Sequence, residues 1–344
     1  MKHSIGRILP IKKISSLLLT CVMAVTCFGC SGGNTSDNND GQLKKITLNE
    51  VAHSIFYAPQ YVAIENGYFK DEGLDINLVT GFGADKVMTS LVSGDADIGF
   101  MGSESSIYVY AGGSSDYAVN FAQLTQRAGN FLVAREDIKD FKWEDVKGMT
   151  ILGGRAGGMP QMLLEYILKK NNIDPKNDVT IVQNIDFGST AAAFASGLGD
   201  FTAEFEPTAT TIEQEKKGYV VASMGVDSGY VPYTAYCAKK SYIEKNAGTI
   251  QSFTNAIQKG LEYVDTHTSA EIAKIIAPQF PENDTATITS IVERYKQQDT
   301  WKTDTLFSEE SFTLLKDILK SSGELKEDVP YDKLVNTTFS RSVK

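Results

Sequence analysis

Histidine and cysteine are both scarce, three and four in 344 residues, and this scarcity excludes several chemistries at once. Past residue 30 the histidines are His53 and His267, more than 200 positions apart, and the one cysteine is Cys237. No Cys/His cluster with metal-site spacing can be drawn from them. From Ile46 onward no Gly-x-Ser-x-Gly nucleophile elbow occurs either. A single cysteine closes no disulfide, so the folded part must be held by its core. Positive charge is also in deficit, with 33 basic residues against 43 acidic ones and a net charge of −10. An acidic body argues against nucleic acid as a partner and against adhesion to anionic lipid. Past residue 30 no apolar run reaches the ~20 residues that a membrane helix needs. Neither metal nor cofactor is expected, and no catalytic residue is assigned.

What is present begins with an order of segments. Lys2, Arg7, Lys12 and Lys13 give a basic start, and Ile14 to Phe28 is uncharged. At Gly29-Cys30 the composition turns to a Ser/Gly/Asn/Asp run ending at Asp40. This order resembles a bacterial lipoprotein signal, although Cys27 and Phe28 stand where that pattern prefers Leu and a small residue. Residues 1–30 are therefore expected to be an export signal with Cys30 lipidated, and 31–43 a flexible tether. A plain cleaved signal and an N-terminal membrane anchor stay open as alternatives.

From Ile46 strands and helices alternate. Ile46 to Asn49, Leu74 to Leu78 and Ile98 to Phe100 read as strands. Pro59 to Asn66 and Ala84 to Ser93 read as helices, stopped by Gly67 and Gly94. The order then recurs: strands at Thr150–Gly153, Val179–Val182 and Asp200–Glu204, with helices opening at Pro160 and Thr190. Ser93-Gly94-Asp95-Ala96-Asp97 lines up with Ser196-Gly197-Leu198-Gly199-Asp200, an offset of 103. Two βαβαβ units in tandem predict an α/β fold of two lobes, each a mostly parallel sheet flanked by helices. Residues 44–127 form the first part of lobe 1, 128–235 lobe 2, and 236–344 a helical return to lobe 1. Tyr117–Gln126 and Val231–Ala238 are the expected crossings between lobes. Open parallel sheets bind ligands beyond the carboxyl ends of their strands, so a cleft between facing strand ends is the predicted site.

The stretch from His53 to Phe69, HSIFYAPQYVAIENGYF, followed by Glu72-Gly73-Leu74-Asp75-Ile76, Ser93 to Phe100 and Glu206-Pro207, resembles one family. It is that of the ABC-importer substrate-binding proteins of the nitrate/sulfonate/taurine and thiamine-pyrimidine-precursor type. The resemblance implies a two-lobed periplasmic-binding-protein-like fold (type II) with two crossing strands as hinge. It also implies capture of a small molecule by a monomer and docking on an ABC permease. A fungal relative is an enzyme that makes a pyrimidine and carries a run of cysteines. The comparable segment here, Val231 to Cys237, has one, so no enzyme is expected. A ligand-sensing ectodomain is a further alternative.

The candidate contacts sit at strand ends. His53, Ser54, Phe56 and Tyr57 follow the first strand, where they serve either a ligand or the packing of the next helix. Ser103 and Glu104 follow the third, after Gly102, with Ser103 either a helix cap or a donor. Arg155, Gly157, Gly158 and Met159 form a glycine-rich nest before a helix, with none of the spacing of a nucleotide-binding loop. Phe187 offers a wall beside Asp186 and Ser189. Glu206 is favoured by the resemblance, against service to the dipole of the helix that Pro207 opens. Tyr233, with Tyr230 nearby, flanks the return crossing. Aromatics with Glu104, Asp186, Glu204 and Glu206 suit a nitrogen heterocycle, while the glycine nest with Ser54, Ser103 and Arg155 suits an oxyanion such as an alkyl sulfonate or nitrate. The balance leans to the heterocycle.

Overall fold

Alternation of apolar and polar side chains gives the first two strands different characters. β1 (Lys44–Glu50) buries Ile46 and Leu48 completely, whereas β2 (Leu74–Thr80) leaves Val79 exposed. A strand that is half in and half out belongs at a sheet edge, and β2 lies there, paired in parallel with β1 in the register Ile46↔Ile76 and Leu48↔Leu78. β3 (Ile98–Gly102) and β4 (Ala118–Thr125) are buried at every position. The computed structural model describes residues 42–343, so the expected signal, its Cys30 and most of the tether lie outside the described residues.

The remaining strands are β5 (Asn130–Ala134), β6 (Thr150–Leu152), β7 (Thr180–Val182), β8 (Phe201–Phe205), β9 (Tyr219–Ser223) and β10 (Thr234–Lys239). They form two five-stranded sheets, β2-β1-β3-β10-β4 and β7-β6-β8-β5-β9. The two orders are the same order: second, first, third, an antiparallel insert, then the last. The repeat legible in the sequence is thus a repeat of topology, with β3 and β8 starting 103 residues apart. Each sheet is mixed, because its fourth strand runs against its neighbours. That strand is the one delivered by a crossing: residues 126–129 lead from β4 to β5, and residues 229–233 lead into β10.

The crossover helices stand where periodicity and stop signals put them. Ala58–Glu65 carries Pro59 in its first turn, and Ala84–Ser93 ends at Gly94, whose φ of 89° caps it in the left-handed region. Met159–Lys170 and Thr190–Ala195 follow β6 and β7. The C-terminal helices do more than return to the first sheet. Ala247–Thr266 packs on Ala58–Glu65, but Glu309–Ser322 packs on Met159–Lys170 of the second repeat, and Thr285–Gln297 reaches Glu206 through Arg294. A helix with apolar residues on one face docks wherever a matching surface is open, and here both repeats offer one.

Candidate ligand-binding cleft

The carboxyl ends of β1, β2 and β3 face those of β6, β7 and β8, and the loops that leave them enclose a cleft. It has two compartments that share Phe82, Pro160 and Phe205 as a partition. The first is an empty space of about 670 Å³ open to solvent at its mouth, bordered by Tyr57, Met159, Phe205 and Tyr233 among others. The second, about 780 Å³ on the same basis, is bordered by His53, Ser54, Gly154, Glu204 and Glu206.

Glu104 gives the first compartment its chemistry. It opens the helix Glu104–Ala111, is 1% exposed, and its Oε2 has no hydrogen-bond partner. Burial pushes its pKa up to about 7, opposed by its own backbone N–H, the Arg155 charge and the Met159 N–H. The carboxyl is therefore balanced between donor and acceptor near neutral pH. Tyr233 is 2% exposed and borders the same compartment, and its hydroxyl is also buried without a partner. Buried polar atoms are almost always paired, and here two orphans border one cavity. A Cβ on Gly102 would collide with the Glu104 carboxyl, so a larger residue at that strand end would require the carboxyl to move.

The other residues picked from sequence divide by what already engages them. Tyr57, Arg155, Gly158 and Met159 border the first compartment. Arg155 stands at its mouth, with Nε 3.5 Å from Asp85 Oδ1 across the cleft. His53 borders the second compartment, but Nδ1 lies 2.8 Å from Glu50 Oε1 and Nε2 lies 2.7 Å from the Gln279 carbonyl. Burial works against a charge there, yet the bonds to Glu50 and Gln279 prevail and raise its pKa. A carboxylate and a carbonyl as partners favour the protonated ring. Ser54 Oγ donates to the Glu206 carbonyl at 2.5 Å, joining the two repeats, and accepts from Phe56 N.

Phe56, Ser103 and Gly157 are not among the residues bordering either compartment. Phe56 packs in a ring cluster with Phe205, Tyr233 and Tyr295, against Gly129 of the first crossing. Ser103 Oγ donates to the Pro232 carbonyl at 2.5 Å, so it neither caps the helix nor faces the cavity. The Gly157 N–H is taken by Gln161 Oε1 and its carbonyl by the Tyr108 hydroxyl, which closes the glycine nest from within. Glu206 borders the second compartment with both oxygens engaged: Oε1 by Arg294 at 2.6 Å and Thr210 Oγ1, Oε2 by Thr210 N. Glu204 is similar, accepting from Thr202 and Thr190 while burial pushes its pKa up to about 7. Tyr230 points away, bonded to Asp299 under Arg127. The side chain of Phe187 lies outside what the structure describes.

Sequence reasoning missed Glu50 and Phe82. Glu50 is fully buried and accepts from Gln60, Tyr61 and Thr80 besides His53, which makes it the anchor of the first loop. Phe82 touches both compartments with φ of 54°, a conformation costly for a bulky side chain. Its flanks, Gly81 and Gly83 immediately after β2, were the available signal. Among the described residues no group of three or more His, Cys, Asp or Glu is placed to hold a metal ion. None of the described helices is long and apolar enough to cross a membrane.

Residues 55–270 match the family described as NMT1/THI5 like. The chain belongs to that family. A curated relative, the candidate binding protein YtlA of Bacillus subtilis (strain 168), is 49% identical over 301 residues, covering 88% of this chain and 90% of its own. Among solved structures, the alkanesulfonate-binding protein SsuA from Xanthomonas axonopodis pv. citri, bound to MOPS, is similar. It has a TM-score of 0.71 at 16% identity, covering 86% of this chain and 99% of that one. The periplasmic nitrate-binding protein NrtA from Synechocystis PCC 6803 matches with a TM-score of 0.64 at 15% identity, over 87% and 93% of the two chains. At such identities these two structures establish that the NMT1/THI5-like chain has the periplasmic-binding-protein fold and nothing finer.

Proposed function

We propose that this NMT1/THI5-like chain is the extracytoplasmic solute-binding component of an ABC importer, capturing a nitrogen heterocycle between its two sheets. The carrying observation is the pair of unpartnered buried atoms, Glu104 Oε2 and the Tyr233 hydroxyl, beside a cavity that the rings of Tyr57, Phe82 and Phe205 also border. An amino group on a ring donates to a carboxylate, and an adjacent ring nitrogen accepts from a phenol. A flat heterocycle meets both needs while stacking on Tyr57, Phe82 or Phe205. The same proposal takes residues 1–30 as export signal, Cys30 as the lipid anchor, and the binder as a monomer that hands its solute to a permease. Capture, with no chemical step, is the role that fits a site without a nucleophile beside a base.

One observation favours a second reading. Arg155 borders the same compartment and acts on Glu104, and two neighbours in fold are named for sulfonate and nitrate. An oxyanion would then accept from Arg155 and from a protonated Glu104. A thermal-shift screen with 4-aminopyrimidine, ethanesulfonate and nitrate separates the readings. A ligand at 100 times its Kd stabilises the fold by about 2.7 kcal/mol, so the melting temperature should rise with the aminopyrimidine and not with the anions. A rise with the anions alone sinks the heterocycle, and no shift with any of them sinks both.

A further inference from the structure

The cations at the cleft mouth are not free. Among the described residues bordering the first compartment the cations are Lys86 and Arg155, and each faces a carboxylate from the opposite repeat. Arg155 Nε lies 3.5 Å from Asp85 Oδ1, and Lys86 Nζ lies 3.9 Å from Asp186 Oδ2. The pairs are swapped in sign: neighbours Asp85 and Lys86, in the first turn of Ala84–Ser93, meet a cation and an anion on the other side. Arg155 also donates Nη1 to the Ala156 carbonyl at 3.1 Å, which holds the guanidinium on its own loop. Deeper in, Glu104 keeps an Oε2 without a hydrogen-bond partner and feels Arg155 only through its charge.

An oxyanion entering this cleft would find its positive charges matched and an acid at the end. We propose that Asp85 is a specificity-determining residue that sets the cleft against anions by pairing with Arg155 across the mouth. This rests on the reading of the first compartment as the ligand site. Two neighbours in fold are named for sulfonate and nitrate, so the fold alone does not refuse an anion, and the refusal is assigned to this rim acid. Asp85 keeps about half of its side chain exposed, 55% against 44% for Arg155, so its replacement does not open the core.

The test is isothermal calorimetry of ethanesulfonate with four proteins: wild type, Asp85→Asn, the double variant Asp85→Asn/Arg155→Gln, and Asp95→Asn. Asp95 is an exposed acid bonded to Ser93 away from the cleft, and it controls for net charge. Removing one charge about 4 Å from a cation changes its field by enough for about a tenfold gain in affinity. That gain is expected in Asp85→Asn and is expected to vanish in the double variant and in Asp95→Asn. No gain in Asp85→Asn, or a gain that survives the loss of Arg155, overturns the proposal. Micromolar binding of ethanesulfonate by the wild type overturns it together with the heterocycle reading. A wild type that binds 4-aminopyrimidine, with no anion gain in Asp85→Asn, overturns this proposal alone.

Discussion

β3 ends at Gly102 and leads into Ser103-Glu104, and β8 ends at Phe205 and leads into Glu206-Pro207, at the same place in two copies of one topology. Both loops bury an acid to 1% exposure. Glu206 is met by Arg294, brought in by a helix 88 positions further along the chain, and by the Thr210 N–H and hydroxyl at the start of the helix Thr208–Gln214. Glu104 has a bare oxygen beside a cavity. What distinguishes the two acids is whether a distant element supplies a cation in direct contact: Arg294 bonds Glu206 at 2.6 Å, whereas Arg155 acts on Glu104 only through its charge. The loop itself does not decide it.

The largest expected effect breaks that comparison on the structural side. Glu206→Ala orphans the Thr210 N–H and leaves Arg294 against a half-buried surface. It should lower unfolding free energy by about 3 kcal/mol, at the low end for broken buried pairs because Arg294 is partly exposed. Glu104→Ala removes a carboxyl whose desolvation outweighs the help of two backbone N–H groups and the Arg155 charge and whose Oε2 is unpaired, so its stability should equal or exceed that of the wild type. Urea denaturation of both variants decides the matter: a Glu104→Ala protein less stable than Glu206→Ala reverses the assignment of the two acids.

The same contrast explains how much was legible in the sequence. Strands, crossover helices and the repeat were readable because periodicity and stops such as Gly94 are local. The two-lobed fold followed from them. The antiparallel fourth strand was not readable, because β5 and β10 are placed by the crossings and carry no signature of direction. At the site, Glu104 and Tyr233 stood at readable strand ends. The engagement of Ser54, Ser103, Gly157 and Glu206 could not be read, since their partners (Glu206, Pro232, Gln161 and Arg294) are fixed only when the chain folds. Phe82 and Glu50 escaped for the opposite reason: a ring between glycines and an acid ending a strand look ordinary until their neighbours are known.

A smaller effect follows from the raised pKa of Glu104. Its proton is held up to about pH 7, against an ordinary value of 4.5. The folded, empty protein therefore binds more protons than the unfolded chain between these values, and this group's contribution to stability is lost as pH rises through 7. Ligand binding has the reverse sign if a ring amine donates to the carboxylate. Below about pH 7 the ligand must expel the proton, so affinity should fall by up to tenfold, about 1.4 kcal/mol, per pH unit. An oxyanion needs the protonated form, and its affinity should fall above pH 7 instead. Glu204 also titrates near 7, so the slope is assigned by its disappearance in Glu104→Gln. A slope that persists in that variant belongs to another group.

The smallest effect sharpens the comparison with two tyrosines that are buried alike and partnered differently. Tyr295 donates its hydroxyl to the Gly129 carbonyl at 2.7 Å and accepts from Glu206 N, so it ties the first crossing to the second repeat. Tyr233 has a hydroxyl with no partner at all. Replacing a bonded hydroxyl costs stability, whereas replacing an orphan relieves an unsatisfied group. Tyr295→Phe should therefore lose about 1 kcal/mol of stability, while Tyr233→Phe should lose none. In calorimetry with 4-aminopyrimidine the order inverts: Tyr233→Phe should lose about 1 kcal/mol of affinity, roughly fivefold, through the bond to the ring nitrogen. Equal affinities for Tyr233→Phe and wild type would mean that the phenol is a packing ring, and Glu104 would then be the one polar contact left to recognise the solute.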